Sequence, residues 1–206
     1  RFNKNTDWSQ LLDGVTHVIH LAAIAHKIGK KKLSNEYFQD INYHSTSNLV
    51  KQSLNCGVKK FIFISTIKVL GENTSTRPFL ENDAPRPQDN YSKSKLNAEE
   101  KIIQLIGKSN SAYTIIRSPL VYGYDVKANF RNVINFVKNF KILPFSALNM
   151  NKRSMVYVEN LIDFIIISIE EKTTNNEIFH ICDDKNFSLY EITTAISKIL
   201  KKKSIF

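Results

Sequence analysis

The chain has 206 residues, 42% of them hydrophobic and 23% charged, with only 6 glycines and 5 prolines. At that length about 70% of the unfolded surface can be buried, and the composition excludes collagen-like, low-complexity and wholly disordered chains. The formal net charge is +10, from 29 Lys and Arg against 19 Asp and Glu. The lysines are scattered, and the runs Lys30-Lys31-Lys32 and Lys201-Lys202-Lys203 carry no interleaved aromatics, so no nucleic-acid partner is expected.

Cys56 and Cys182 lie far apart, outside any C-x-x-C or Cys/His ligand spacing, so neither a disulfide framework nor a zinc site is expected. The five histidines, His17, His20, His26, His44 and His180, show no metal-ligand spacing either, and no metal is assigned. The longest apolar stretch, residues 161–169, is interrupted by Asp163 and Ser168 and is far short of the roughly 20 residues that cross a bilayer. These features point to a cytoplasmic chain without membrane insertion.

In chain order, the first element is an apolar run, Val18-Ile19-His20-Leu21-Ala22-Ala23, which follows the turn-like Asp13-Gly14 and reads as a buried strand. A helix is expected between Asn35 and Cys56, where Phe38, Ile41, Leu49 and Leu54 recur among polar residues and Gly57 supplies a left-handed cap. Lys60-Phe61-Ile62-Phe63-Ile64-Ser65 reads as a second strand. A loop with Pro78, Pro85 and Pro87 leads to a helix from about Asn90 to Ile106, closed by Gly107, and Tyr113-Thr114-Ile115-Ile116 makes a third strand. Apolar strands alternating with helices build a parallel sheet by right-handed crossovers, so the fold class is α/β.

After Gly123 the rhythm changes. A helix near residues 131–138 is followed by an irregular stretch through Pro144, a short strand near 154–158 and a buried helix from about 160 to 169. Ile178-Phe179-His180-Ile181 reads as another strand, and Ser188 with Glu191 forms a capping box for the last helix. This divides the chain into a partial dinucleotide-binding domain, 1–125, and a mainly substrate-binding region, 126–206, that partly returns to the sheet.

Ligands of open parallel sheets bind beyond the carboxyl ends of the strands. The residues there are Leu21-Ala22-Ala23, Ser65-Thr66 and Arg117-Ser118-Pro119. Tyr91 and Lys95 stand at i and i+4 of the helix that opens Tyr91-Ser92-Lys93-Ser94-Lys95, on one face. A phenol titrates near pH 10, so Tyr91 can act as a base near neutrality only if a close cation stabilises its phenolate, a charge Lys95 could supply. The Thr66 hydroxyl could hold a reacting oxygen against Tyr91. Taken singly, each motif is also what an ordinary surface helix or a helix packed on a sheet would show.

In combination, a hydrophobic strand ending Ser65-Thr66, a Pro-containing loop with Glu81, the Tyr91-to-Lys95 helix start and Arg117-Ser118-Pro119-Leu120-Val121-Tyr122-Gly123 strongly resemble the extended short-chain dehydrogenase/reductase family, nearest its nucleotide-sugar epimerases and reductases. The resemblance runs from about Leu11 to the carboxyl end and includes His20-Leu21-Ala22-Ala23 and Asn42 with Thr46, Asn48 and Leu49. It implies a Rossmann-like doubly wound parallel sheet with a smaller mixed α/β substrate region. It also implies Tyr91 as acid/base, Lys95 as its electrostatic partner and ribose ligand, and Thr66 as the hydroxyl partner. Leu21, Ala22, Ala23 and Pro119 would border an NAD or NADP cofactor. Asn129 would contact the sugar nucleotide and Arg153 its diphosphate, a role suited to forked donors. The implied partner is a nucleotide sugar, and the full-length protein is expected to be a homodimer.

Two departures refine this. The family's Gly-rich pyrophosphate turn follows its first strand, and no G-x-x-G-x-x-G occurs here, so the chain reads as an amino-terminally truncated fragment. Sugar-nucleotide 4,6-dehydratases of the family place an acidic residue or an Asp-Glu pair after the catalytic threonine, whereas Ile67 and Lys68 stand here. The implied chemistry is therefore oxidation and reduction at C4 without elimination. A UDP-hexose or UDP-hexosamine 4-epimerase of surface-polysaccharide synthesis is expected first, a UDP-4-keto-sugar reductase with the same residues second, and a noncatalytic dinucleotide-binding module third.

Overall fold

A computed structural model describes residues 2–25, 33–74, 77–124, 128–140 and 151–202, with no side-chain description at 128 and 129. The chain divides into two compact units, one of residues 1–118 with 164–180 and the other of 119–163 with 181–206.

The first unit is built on a four-stranded parallel sheet of β1 (His17–His20), β2 (Lys60–Thr66), β3 (Ala112–Ser118) and β7 (Glu177–His180), in the order β1-β2-β3-β7. Every neighbouring pair is parallel, with Phe63 opposite His20 and Ile115, and Thr66 opposite Ser118. The connecting helices are α2 (Asn35–Phe38), α3 (Ser45–Asn55) and α4 (Asn90–Ile106), preceded by a single turn, α1 (Ser9–Leu12).

Alternation along β2 explains the core. Phe61 and Phe63 point to one face, where with Ile115 they meet Leu49 and Val50 of α3 and Ala98, Ile102 and Ile106 of α4. Ile62 and Ile116 are fully buried on the opposite face. There Phe179 of β7 meets Phe164 with ring centroids 5.1 Å apart.

The structure reproduces the expected parallel α/β sheet and corrects several details. β1 ends at His20, leaving 21–25 without regular structure. The helix expected from 35 to 56 is interrupted by a π-helical turn, Gln39–His44, between α2 and α3. The Thr46 hydroxyl donates to the Asn42 carbonyl at 2.8 Å inside this wider turn, a device found at functional sites. Gly57 has the left-handed φ of 77° expected of a cap residue, whereas Gly107 ends α4 at φ −61°.

The second unit pairs β4 (Leu120–Tyr122) in parallel with β6 (Met155–Tyr157), and β5 (Lys152–Arg153) antiparallel with β8 (Phe187–Ser188). Its helices α5 (Ala128–Asn139) and α7 (Leu189–Ile199) pack together. The capping box of Ser188 and Glu191 is formed at α7. Asp183 accepts from the Tyr122 hydroxyl at 2.7 Å, the Asn160 amide at 2.8 Å and the Tyr157 backbone, tying three segments together. Helix α6 (Val158–Glu170) runs across the boundary between the units. It was expected to be buried, but Ile162, Ile166 and Ile167 are each 47% exposed, so only one face is covered. The irregular stretch expected through Pro144 lies outside the described residues. Among the described residues no helix is long and apolar enough to cross a membrane, and both cysteines are exposed.

Candidate active site

The carboxyl ends of β1 and β2 and the first two turns of α4 gather the candidate residues of the first unit. Thr66 closes β2 with 8% of its surface exposed, and its Oγ1 accepts from the Lys68 backbone N–H at 3.3 Å. A hydroxyl that accepts through a lone pair keeps its own proton to donate to a ligand. Leu21, Ala22 and Ala23 are exposed just beyond β1, with Leu21 62% exposed.

Tyr91 lies in the first turn of α4. That helix starts here because Asp89 is a strong N-cap, accepting from the Ser92 N–H at 2.6 Å while Ser92 Oγ receives the Asp89 N–H. One turn on, Lys95 is 1% exposed, with its ammonium 3.8 Å above the Phe63 ring centroid. Among the described residues no carboxylate forms an ion pair with it.

Burial is the largest influence on the charge of both groups. Burial pushes Tyr91 up to about 12; positive charge from Lys68 acts against that rise and Asp89 adds to it. Burial likewise pushes Lys95 down to about 7, with Glu99 opposing. Both groups sit in a dry environment that disfavours their charged forms more than neighbouring charges favour them.

Two supporting residues, Asn42 and Glu99, were not singled out for a role from the sequence. Asn42, 1% exposed in the π-turn, pins the segment after β1: its Oδ1 accepts the Ile24 N–H at 2.8 Å and its Nδ2 donates to the Ile24 carbonyl at 2.9 Å. The same Nδ2 reaches Ser94 Oγ at 3.0 Å, joining that segment to α4. Glu99, two turns after Tyr91, accepts from Ser65 Oγ and forms a buried ion pair with Arg117 at 2.8 Å. Its i+8 spacing from Tyr91 was a visible signal of shared face. His20 is 6% exposed, stacks on Phe63 at 5.7 Å and bonds Thr46 at 2.8 Å. The one Thr46 hydroxyl proton goes to the Asn42 carbonyl, so His20 carries its proton on Nε2.

In the second unit Pro119 is half-buried at the start of β4, and Arg153 is exposed on β5. Asn129 lies in α5, outside the residues whose side chains are described. No group of three or more His, Cys, Asp or Glu among the described residues could hold a metal ion.

Thr66 at the end of β2 and the turn that carries Tyr91 are linked through Lys68 and Asp89, and the buried Lys95 follows one helical turn after Tyr91. Residues 2–202 match the 3-beta hydroxysteroid dehydrogenase/isomerase family. The chain is 38% identical over 202 residues to a UDP-glucose 4-epimerase of Vibrio cholerae, spanning 97% of this chain and 62% of that protein. It is 29% identical over 196 residues to the N-acetyl-alpha-D-glucosaminyl-diphospho-ditrans,octacis-undecaprenol 4-epimerase of Escherichia coli O157:H7, spanning 94% of this chain and 57% of that protein. In structure it resembles the UDP-glucuronic acid 4-epimerase of Bacillus cereus in complex with UDP-glucuronic acid and NAD, with TM-score 0.84 and 24% identity over 98% of this chain and 64% of that one. A dTDP-glucose 4,6-dehydratase of Streptomyces venezuelae with NAD and TYD bound shares the fold at TM-score 0.80 and 20% identity, over 94% of this chain and 60% of that one. The chain thus spans about three fifths of the length of these relatives, and it belongs to the 3-beta hydroxysteroid dehydrogenase/isomerase family, with the Rossmann-like fold of the extended short-chain dehydrogenases/reductases.

Proposed function

We propose that the protein containing this chain is an NAD(P)-dependent nucleotide-sugar 4-epimerase acting on a UDP-hexose or UDP-hexosamine for surface-polysaccharide synthesis. The observation that carries this reading is the position of Thr66 at the end of β2 and of Tyr91 and Lys95 in the first two turns of α4, the strand end and the helix start being joined through Lys68 and Asp89. The 38% identity to a UDP-glucose 4-epimerase, against 23% to a 3 beta-hydroxysteroid dehydrogenase/Delta 5-->4-isomerase of Mycobacterium tuberculosis, favours a sugar over a steroid. Ile67 and Lys68 after Thr66, with Lys68 held in ion pairs, leave no acidic pair at that position for elimination of water.

The residues fit the nicotinamide-ribose half of the cofactor. Lys95 offers a buried ammonium without a carboxylate partner among the described residues, suited to ribose hydroxyls, and Ala22 and Ala23 allow close approach to the backbone. Pro119 would border the nicotinamide, Asn129 the sugar nucleotide and Arg153 the diphosphate. The chemistry supplied by bound NAD is acceptance of hydride from C4 and its return. Thr66 donates to O4 and holds it against Tyr91, which removes the O4 proton during oxidation and restores it after the keto sugar has turned over. Burial raises the Tyr91 pKa, so service as a base requires positive charge close to it.

The same residues support a 4-keto reductase running only the second half. The intact protein should be supplied with NAD and UDP-glucose or UDP-N-acetylglucosamine, and the products followed by proton NMR. Appearance of the C4 epimer, lost in Tyr91→Phe, is expected. Conversion only of a UDP-4-keto sugar with NADPH would replace the epimerase by the reductase, and inertness toward both would remove the enzymatic reading. The expected homodimer is checked by sedimentation of the same protein.

A further inference from the structure

Lys68 is two residues past Thr66 in a short 3-10 turn, Ile67–Val69, that continues β2. Its ammonium pairs with Asp89 and, at 2.9 Å, with Glu72. Asp89 is the N-cap of α4 and stands two residues before Tyr91. A continuous chain of contacts therefore joins the two halves of the candidate site: Thr66 Oγ1 to the Lys68 N–H, the Lys68 ammonium to the Asp89 carboxylate, and that carboxylate to the Ser92 N–H in the turn that carries Tyr91. The Lys68 and Asp89 side chains are 35% and 42% exposed, so the pair is partly open to solvent and screened by salt.

We propose that Lys68 is a positioning residue for Tyr91, clamping the first turn of α4 to the end of β2 through Asp89 and setting the electrostatic balance at the Tyr91 hydroxyl. The proposal rests on the reading of Tyr91 as the acid/base. The charges that act on that hydroxyl are opposed: Lys68 favours the phenolate and Asp89 disfavours it. Other charges on elements packed against α4 are engaged elsewhere or solvated. Arg117 of β3 pairs with Glu99, Lys60 of β2 bonds the Thr174 hydroxyl, and Asp40 of the π-turn pairs with Lys4. Glu36 of α2, His44 of the π-turn and Lys51 of α3 are exposed to water. Lys95, on the same helix, lies with its Nζ over Phe63. Lys68 thus contributes fixed positive charge to a tyrosine that burial has made a poor base.

The test exploits the opposite signs. Lys68→Gln removes the cation and should raise the Tyr91 pKa by about one unit, moving the ascending limb of kcat/KM against pH to higher pH. Asp89→Asn keeps a good N-cap but removes the anion, and should move the limb to lower pH. Lys68→Arg should restore the wild-type profile. Loss of the clamp alone would depress both variants without moving their profiles apart, and that outcome would overturn the proposal. Phenolate absorbance near 295 nm of the intact protein, differenced against Tyr91→Phe, reads the same shifts without turnover. If turnover is absent but the absorbance shifts appear, the epimerase reading fails while the role of Lys68 stands; equal titration midpoints in Lys68→Gln and Asp89→Asn would reject that role.

Discussion

The Lys95 ammonium rests 3.8 Å above the ring of Phe63, a lysine and an aromatic that approach from a helix and from the strand beneath it. The cation–π contact softens but does not cancel the desolvation of a fully buried charge, and Lys95 is pushed down to about 7. Burying such a lysine carries a folding cost. The linkage is of the depressed-lysine kind: between about pH 7 and the ordinary value near 10.5 the unfolded chain binds more protons, so the cost is greatest below pH 7 and fades as pH rises toward 10.5.

Lys95→Met should accordingly raise stability at pH 7 by on the order of 1–3 kcal/mol while it abolishes turnover and weakens NAD binding. Urea midpoints at pH 7 and pH 10 check this, with the gain shrinking at the higher pH. A variant destabilised at both values would mean that Lys95 is satisfied by its protein surroundings.

Glu99 and Arg117 are 1% and 3% exposed and are joined by hydrogen bonds from the Arg117 Nε and Nη2 atoms. Glu99→Gln leaves the guanidinium buried without its counter-charge and should cost about 3–5 kcal/mol. Glu99→Leu combined with Arg117→Met should cost clearly less, because both charges leave together. Chemical denaturation of the three proteins gives the comparison.

His20 is pushed down to about 3, first by burial and then by the positive charge of Lys95. Above pH 6.5 the imidazole is neutral in both folded and unfolded chains. As pH falls from 6.5 toward 3 the unfolded chain takes up a proton that the folded one refuses, so stability drops by up to about 1.4 kcal/mol per pH unit. His20→Gln should be less stable at pH 7 yet lose less on acidification, a crossing visible in urea titrations at pH 7, 5 and 4.

Asn42→Ala removes both bonds to Ile24 and the link to Ser94. Unpairing buried backbone polar groups costs about 1–3 kcal/mol. Because the freed segment carries Leu21, Ala22 and Ala23, the loss should appear in NAD affinity of the intact protein by calorimetry more than in the rate at saturating NAD. An unchanged affinity would show that residues 21–25 do not need this anchor.

Local pattern was enough for much of this protein. The apolar runs 60–65 and 113–116, the start of α4 near Asn90, Gly57 and the box at Ser188 act over a few residues, and each appears within a residue or two of its expected place. The order of Thr66, Tyr91 and Lys95 along the chain also sufficed to nominate the site. What needed the tertiary structure was set by groups distant in sequence. The π-turn arises where Asn42 reaches a segment 18 residues earlier, and the one-sided burial of α6 depends on which surfaces lie beside it. Above all, the sequence showed Tyr91 and Lys95 together and suggested that one lowers the pKa of the other. The folded chain instead places both in a dry interior, puts Phe63 under the ammonium and brings Lys68 from the end of β2 toward the tyrosine, because desolvation and charge act through space rather than along the chain.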